Sequence, residues 1–157
     1  MPTPISHAAV GYALGVWTQR GLPVRRVCIA AAACAALPDI DVLASPLIAH
    51  RGITHSLLFA FTAAVLATVV FFRGQGRTSF VVLCVAVLSH SVLDAFSSYS
   101  VGLAFFAPFS DERYRFVWTP LGDPAGRLSY QLLQEALVVL LPALLAIGLG
   151  LRLRGAR

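Results

Sequence analysis

The segment 50–56, with the sequence His-Arg-Gly-Ile-Thr-His-Ser, places two imidazoles, a guanidinium and two hydroxyls directly before a long apolar run. The chain has only four histidines, and the other two also occupy small polar pockets of apolar segments, at Ser6-His7 and at Ser89-His90-Ser91. Histidine and aspartate are the usual ligands of zinc, manganese and related ions in hydrolases. The pattern therefore indicates a metal site.

Carboxylates accompany these histidines. Asp39 and Asp41 lie in the segment Leu-Pro-Asp-Ile-Asp (37–41), and Asp94 follows His90 by four residues, which is one turn on the same side of a helix. An ionisable group at membrane depth costs about 2.5–3.5 kcal/mol on insertion scales and marks a functional interior. The predicted metal ligands are His7, Asp39, Asp41, His50, His55, His90 and Asp94.

The composition is that of a membrane protein. Hydrophobic residues make up 58% of the 157 residues and charged residues 12%, with a mean hydropathy of +0.80, so we expect one integral-membrane domain, 1–157. The net charge is +5, but the basic residues, all arginines, stand singly or in pairs at the ends of apolar runs, which argues against nucleic-acid binding. Three cysteines without a CxxC spacing indicate neither a disulfide framework nor a thiolate zinc site.

The apolar runs predict an all-α fold, a polytopic bundle of about five helices, at about 6–19, 25–37, 55–72, 79–96 and 132–151. Thr54 is the expected N-cap of the third helix, and Gly52 is expected to let the chain fold back before it. The first two helices are short for a full crossing, so partial insertion stays open. Antiparallel neighbours would bring the seven predicted ligands to one end of the bundle.

A long segment, 97–130, separates the fourth and fifth helices. It contains three prolines, several charges of both signs and half of the sixteen aromatic residues of the chain. Aromatic residues among charges suit the headgroup layer, so we predict an interfacial loop. Two roles are open for it: a segment that rests on the membrane surface, or a lid over the metal site.

The predicted ligands exceed the three protein ligands of a typical catalytic zinc site, so one or two ions could be held, zinc being the first expectation and manganese the second. Asp39 is a candidate general base, with Asp41 as the other choice, and Arg51 is a candidate electrophile because its planar fork matches phosphate oxygens. Arg51 could instead pair with a lipid headgroup. These roles favour a metal-dependent hydrolase of a phosphoester or lipid-like substrate; the alternatives are a metal-ion or proton transporter and, less favoured, a histidine-nucleophile lipid phosphatase.

The motifs resemble those of the YdjM-type family of inner-membrane metal-dependent hydrolases. The resemblance covers about residues 6–114 and rests on Ser-His near the N-terminus, Leu-Pro-Asp-Ile-Asp, His-Arg-Gly-Ile-Thr-His-Ser and Ser-His-Ser-Val-Leu-Asp. It departs from the family at Ala107, where a tryptophan is expected, and at Ser97-Ser98, where a threonine is common. The resemblance implies a helical protein of the bacterial inner membrane with a metal-dependent hydrolase activity on a poorly defined substrate.

The arginines predict the orientation of the chain. Four of them lie on the side of the predicted metal site, in or near the polar segments, and eight on the opposite side: Arg20, Arg25, Arg26, Arg73, Arg77, Arg152, Arg154 and Arg157. Because arginine is retained on the cytoplasmic side, a five-helix arrangement puts the C-terminus inside and the metal site on the periplasmic or extracellular side. Membrane lipids and an amphiphilic or phosphoester substrate are the expected partners.

Overall fold

The computed structural model describes residues 2–18, 24–44, 50–73, 75–99, 101–122 and 125–155. Within these ranges the chain is helical and contains no named strand, which confirms the predicted all-α fold. The predicted end of the first helix near residue 19, and residues 45–49 of the connection 41–49 between the second and third predicted helices, lie outside the described residues. The α-helices are α1 Pro4–Thr18, α2 Val24–Ala36, α3 Ile40–Leu43, α4 Leu57–Phe71, α5 Gly76–Ala95, α6 Leu128–Glu135 and α7 Leu141–Gly155.

Helices α1 and α2 pack very closely because α1 presents two glycines to α2. A Cβ atom on Gly11 would lie 2.4 Å from the carbonyl oxygen of Ala31, and one on Gly15 would lie 2.8 Å from the Cα atom of Cys28. Glycines four residues apart share one face of a helix, and this pattern is common where helix backbones approach each other in membranes. The contact fixes the start of α1 relative to the end of α2.

Helix α5 lies at the centre, in contact with α1, α2 and α4. Val82, Leu83, Ala86 and Val87 of α5 are buried in the apolar core. Many large apolar side chains on the outside of the bundle are exposed. Among the described residues, two helices are long and apolar enough to cross a membrane, Gly76–Ala95 and Leu128–Arg154, whereas α4 is apolar but shorter.

Helices α6 and α7 form one continuous rod, interrupted by a π-helical segment, Ala136–Leu140. Pro142 follows this segment and has no N–H to donate to the carbonyl four residues earlier, which explains the break in the regular ladder. The rod runs parallel to α1: at one end Thr3 contacts Glu135, and at the other the Trp17 indole N–H donates to the carbonyl of Ala146 at 2.9 Å.

The segment between α5 and α6 is irregular, as predicted, and it packs over the beginning of α4. The backbone N–H of Ala104 donates to the carbonyl of Arg51 at 3.2 Å, and that of Leu57 donates to the carbonyl of Phe105 at 2.9 Å. Isolated bridges join Ser97 to Leu121 and Leu103 to Tyr114. Its residues 100, 123 and 124 lie outside the described ranges.

Candidate metal centre

Four chain segments meet at one end of the bundle and contribute the residues predicted from the sequence. His7 lies in the first turns of α1, Asp39 ends the 3₁₀ turn Leu37–Asp39, and Asp41 lies in α3. His55 ends the 3₁₀ turn Ile53–His55 before α4, and the last turns of α5 carry His90 and Asp94. All these side chains are buried, whereas the His50 side chain is 34% exposed.

The start of α4 differs locally from the prediction. Ser56, and not Thr54, is the N-cap: its hydroxyl accepts from the backbone N–H of Phe59 at 3.1 Å. The positive φ of the polar segment falls on Arg51, at 61°, and not on Gly52. An arginine in this conformation is strained, so the surrounding contacts must hold it there.

The imidazoles of His55 and His90 face each other through their Nε2 atoms, 3.0 Å apart. Nδ1 of His90 lies 2.8 Å from the carbonyl oxygen of Ala35, which only accepts, so this nitrogen carries the hydrogen. Nδ1 of His55 lies 3.0 Å from the Thr54 hydroxyl, which already donates to Asp41, so this nitrogen is also a donor. In both neutral rings Nε2 is therefore left with a lone pair, and two lone pairs at this distance repel each other.

Further acceptors point to the same place. Asp39 Oδ1 lies 3.5 Å from Nε2 of His90 and 4.0 Å from Nε2 of His55, and Asp94 Oδ2 lies 3.7 Å from Nε2 of His55. His7 stacks on His90, with ring centroids 3.7 Å apart, and its Nε2 lies 3.4 Å from Asp94 Oδ1.

This arrangement fits a divalent cation. All four carboxylate oxygens of Asp39 and Asp94 are buried and accept no hydrogen bond from the described residues. Buried acceptors without donors are costly, and imidazole nitrogens with carboxylate oxygens are the donor set that zinc and manganese bind. Ligand atoms within 4.8 Å of one another form two groups that share His90: one with His7 and Asp39, the other with His55 and Asp94.

Asp41 is placed differently, because both of its oxygens are already engaged. Oδ1 lies 2.8 Å from Nδ1 of His50, while Oδ2 accepts from the Thr54 hydroxyl at 2.7 Å and from the backbone N–H of Arg51 at 3.1 Å. Oδ2 is also 3.3 Å from Nδ1 of His55. A carboxylate on the far nitrogen of a histidine fixes the ring and its tautomer. Asp41 thus orients His55 and His50, although the three residues also form a possible ligand group of their own.

The carboxyl groups of Asp39 and Asp41 have opposite electrostatic environments. Burial raises the pKa of Asp39 above its ordinary range and outweighs the opposing effect of His7, while the nearby charge of Asp94 raises the pKa further. Burial alone would also raise the pKa of Asp41, but hydrogen bonds from the two imidazoles and the Thr54 hydroxyl outweigh it and hold that pKa well below its ordinary range. Asp41 is therefore the permanent anion, and Asp39 is the carboxyl on which a proton is more easily held.

The Arg51 side chain turns into the protein and is only 2% exposed. Its Nη2 lies 3.3 Å from Asp94 Oδ2, but none of its three side-chain nitrogens makes a hydrogen bond within the described part of the chain. Pairing with a lipid headgroup at the surface, the other role considered for this residue, is incompatible with that burial. The guanidinium is instead positioned beside the acceptor cluster, with N–H groups available to an anion.

The sequence matches the family model described as YdjM inner membrane protein over residues 1–155. It is also 32% identical to inner membrane protein YbcI of Escherichia coli (strain K12), over 167 aligned positions that cover 95% of this chain and 96% of that protein. The chain belongs to the YdjM inner membrane protein family. This confirms the resemblance derived from the motifs and assigns the chain to the inner membrane. No solved structure matches it.

One buried carboxylate of this YdjM-family chain was not predicted. Glu135 is 5% exposed, and its Oε1 accepts from both the backbone N–H and the hydroxyl of Thr3, at 2.6 and 2.5 Å. The carbonyl of Thr3 in turn accepts from the backbone N–H of His7 at 3.2 Å. Glu135 thereby ties the first turn of α1, which carries His7, to the rod α6–α7. An ionisable residue within an apolar helix was the available signal.

Proposed function

We propose that this protein is a membrane-embedded metal-dependent hydrolase acting on a phosphoester or lipid-like substrate. The observation that supports it is the convergence of five buried imidazole and carboxylate side chains, with Nε2 of His55 only 3.0 Å from Nε2 of His90. In this proposal one or two divalent ions, zinc first and manganese second by donor chemistry, are held by His7, Asp39, His55, His90 and Asp94. Asp41 and His50, also predicted as ligands, support the centre from outside, Asp41 by orienting His55.

The bound metal would supply Lewis-acid polarisation of a phosphoryl oxygen. Residues of the chain would act as the general base and would bind the phosphoryl group. In a centre with one ion, held by His55, His90 and Asp94, Asp39 is the proposed general base, because its carboxylate then stays free to take the proton of the attacking water; with two ions Asp39 would be a ligand. Arg51 would bind a second phosphoryl oxygen through its N–H groups and stabilise charge that develops there.

Two alternatives, a transporter and a histidine-nucleophile phosphatase, fit the same residues less well. A transporter needs its ion site near the middle of the membrane, whereas this cluster lies where helices begin and end. A nucleophilic histidine needs a ring nitrogen that is free to attack phosphorus, but in this proposal Nε2 of His55 and of His90 bind the ion, and both Nδ1 atoms are hydrogen-bonded. The position of the cluster and the bonding of its imidazoles therefore favour hydrolysis over transport and over a phosphohistidine mechanism.

The decisive experiment combines elemental analysis with an activity screen of the purified, detergent-solubilised protein. We expect a stoichiometric divalent metal and hydrolysis of a phosphoester from a panel of soluble and lipid esters, abolished by chelation and restored by the ion. Flux of the divalent ion into proteoliposomes, without hydrolysis of any ester, would show that the protein is a transporter and not a hydrolase. A protein that retains no metal would overturn both.

The proposed location is multi-pass in the inner membrane, with the centre on the periplasmic or extracellular side. The distribution of arginines supports this orientation: α7 ends with Arg152 and Arg154, whereas the centre lies where α5 ends. Membrane lipids are the proposed surroundings and the source of the substrate.

A further inference from the structure

An apolar groove of about 560 Å³ lies beside the candidate centre. Its walls come from the start of α1, the end of α2, α3 and the rod α6–α7. The side chains of Ile40, Val42 and Leu43 on its rim are half or more exposed. The volume lies within the range of ordinary small-molecule sites, and its apolar walls suit hydrocarbon.

The groove meets the edge of the metal centre at Asp39, whose two carboxylate oxygens are buried. This residue is the one ionisable side chain among the described residues that line it, and the same carboxylate approaches both His90 and His55. From Asp39 the cluster continues through His55 and Asp94 to the guanidinium of Arg51. The apolar groove thus ends next to a cluster of acceptors suited to a cation, with Asp39 as the residue common to both.

We propose that the groove binds the hydrocarbon chain of a phosphate-bearing membrane lipid, whose headgroup phosphate lies at the Asp39 end of the groove, next to the metal centre. This inference rests on the proposed function and names its substrate class. The exposed aliphatic rim on α3 would let a chain enter sideways from the bilayer, because both the rim and the lipid interior are apolar. A small soluble phosphoester would leave the groove unused.

The test is photolabelling in lipid nanodiscs with phosphatidic acid that carries a diazirine in one acyl chain. Labelled peptides from the groove, around Ile40 to Leu43, are compared with those around Leu66, an exposed residue of α4 that serves as the bulk-lipid reference. We expect groove labelling to saturate and to be competed by dodecyl phosphate, while labelling at Leu66 stays proportional to lipid. Neutral diacylglycerol with the same diazirine should show no saturable labelling of the groove.

The matched variants are Ala33→Trp, which fills the groove from α2, and Leu66→Trp, which adds a similar ring on a surface outside the groove. Ala33→Trp should reduce saturable labelling by about tenfold or more, since the indole takes much of the cavity, and leave metal content unchanged. Leu66→Trp should alter neither. Groove labelling that never saturates, that neutral lipid reproduces, or that Ala33→Trp leaves intact would overturn the inference.

The two proposals fail in distinguishable ways. Bound metal and hydrolysis of soluble phosphoesters without saturable groove labelling would retain the hydrolase and remove the lipid-chain site. Saturable, phosphate-dependent labelling in a protein without metal or hydrolysis would retain a lipid-binding groove and remove the hydrolase. Cross-links from the groove to a second copy of the chain would assign it to self-association instead.

Discussion

Nε2 of His55 lies 3.0 Å from Nε2 of His90, while the Nδ1 atom of each ring faces an acceptor. Two imidazoles held in this way can be stabilised by a cation that accepts both lone pairs. Their rings are anchored on different helices and joined to the backbone, since the Ser91 hydroxyl also donates to the carbonyl of His55 at 2.9 Å. The pair is the core of the candidate centre.

His90→Ala and Asp94→Asn should each remove bound metal, because each takes away an acceptor of the cluster. Metal per protein is measured by elemental analysis after size-exclusion chromatography, with the elution profile as evidence of folding. Ser89→Ala is the matched control: Ser89 lies on the same turn of α5, but its hydroxyl donates only to the carbonyl of Ala86. Near-complete metal in both ligand variants would contradict the proposed centre.

Asp41→Asn should weaken metal binding by about 10–100-fold without abolishing it, because Asp41 orients His55 and both of its oxygens are engaged by protein groups. Affinity is measured by competition with a chelator of known strength. Complete loss of metal, equal to that in Asp94→Asn, would instead make Asp41 a direct ligand. Thr54→Val removes one of the hydrogen bonds to Asp41 and should produce a smaller effect in the same direction.

Arg51→Lys should leave metal content unchanged and lower kcat by about 10²–10³, the loss seen when one preorganised donor to a developing charge is removed. Lysine keeps the charge but not the planar fork of N–H groups. The control is Arg113→Lys, since Arg113 lies in the segment between α5 and α6 and binds the carbonyl of Gly102. Unchanged kcat in Arg51→Lys would exclude the proposed role in catalysis.

Glu135→Leu should destabilise the protein by about 1–3 kcal/mol, because the backbone N–H and the hydroxyl of Thr3 would lose their common acceptor. Glu135→Gln keeps one amide oxygen and should cost less. The apparent Tm in detergent measures both, and metal affinity should fall with Tm because Thr3 precedes His7 by one helical turn. Equal Tm values for Glu135→Leu and the wild type would show that this tie is dispensable.

Single cysteines at Gln75 and Glu112, in a background without Cys28, Cys34 and Cys84, test the orientation. Gln75 directly precedes α5, which is long enough to cross the membrane, and Glu112 lies in the segment after α5 that is hydrogen-bonded to its end through Phe116 and Ala95. In intact cells, a membrane-impermeant maleimide should label the cysteine at Glu112 and spare the one at Gln75. The reverse pattern would put the centre on the cytoplasmic side.

The sequence by itself determined the helical class, the inner-membrane family and the residue types of the centre. Those predictions depend on local information: apolar runs of helical length, and the four-residue spacing that puts His90 and Asp94 on one side of α5. The irregular segment after α5 was predictable for the same reason, from its prolines and charges. Each of these features is encoded within a few consecutive turns.

Only the tertiary structure decided which predicted residues are candidate ligands and which of them are engaged by other protein groups. Asp41 and Asp39 are two positions apart, yet one is surrounded by donors and the other by acceptors, because donors from residues 50–54 approach Asp41 and not Asp39. The burial of Arg51 and the pairing of Glu135 with Thr3, 132 positions away, likewise depend on segments that are remote in sequence. A residue's type and spacing predict what it can bind, but its charge environment is set by neighbours that only folding brings to it.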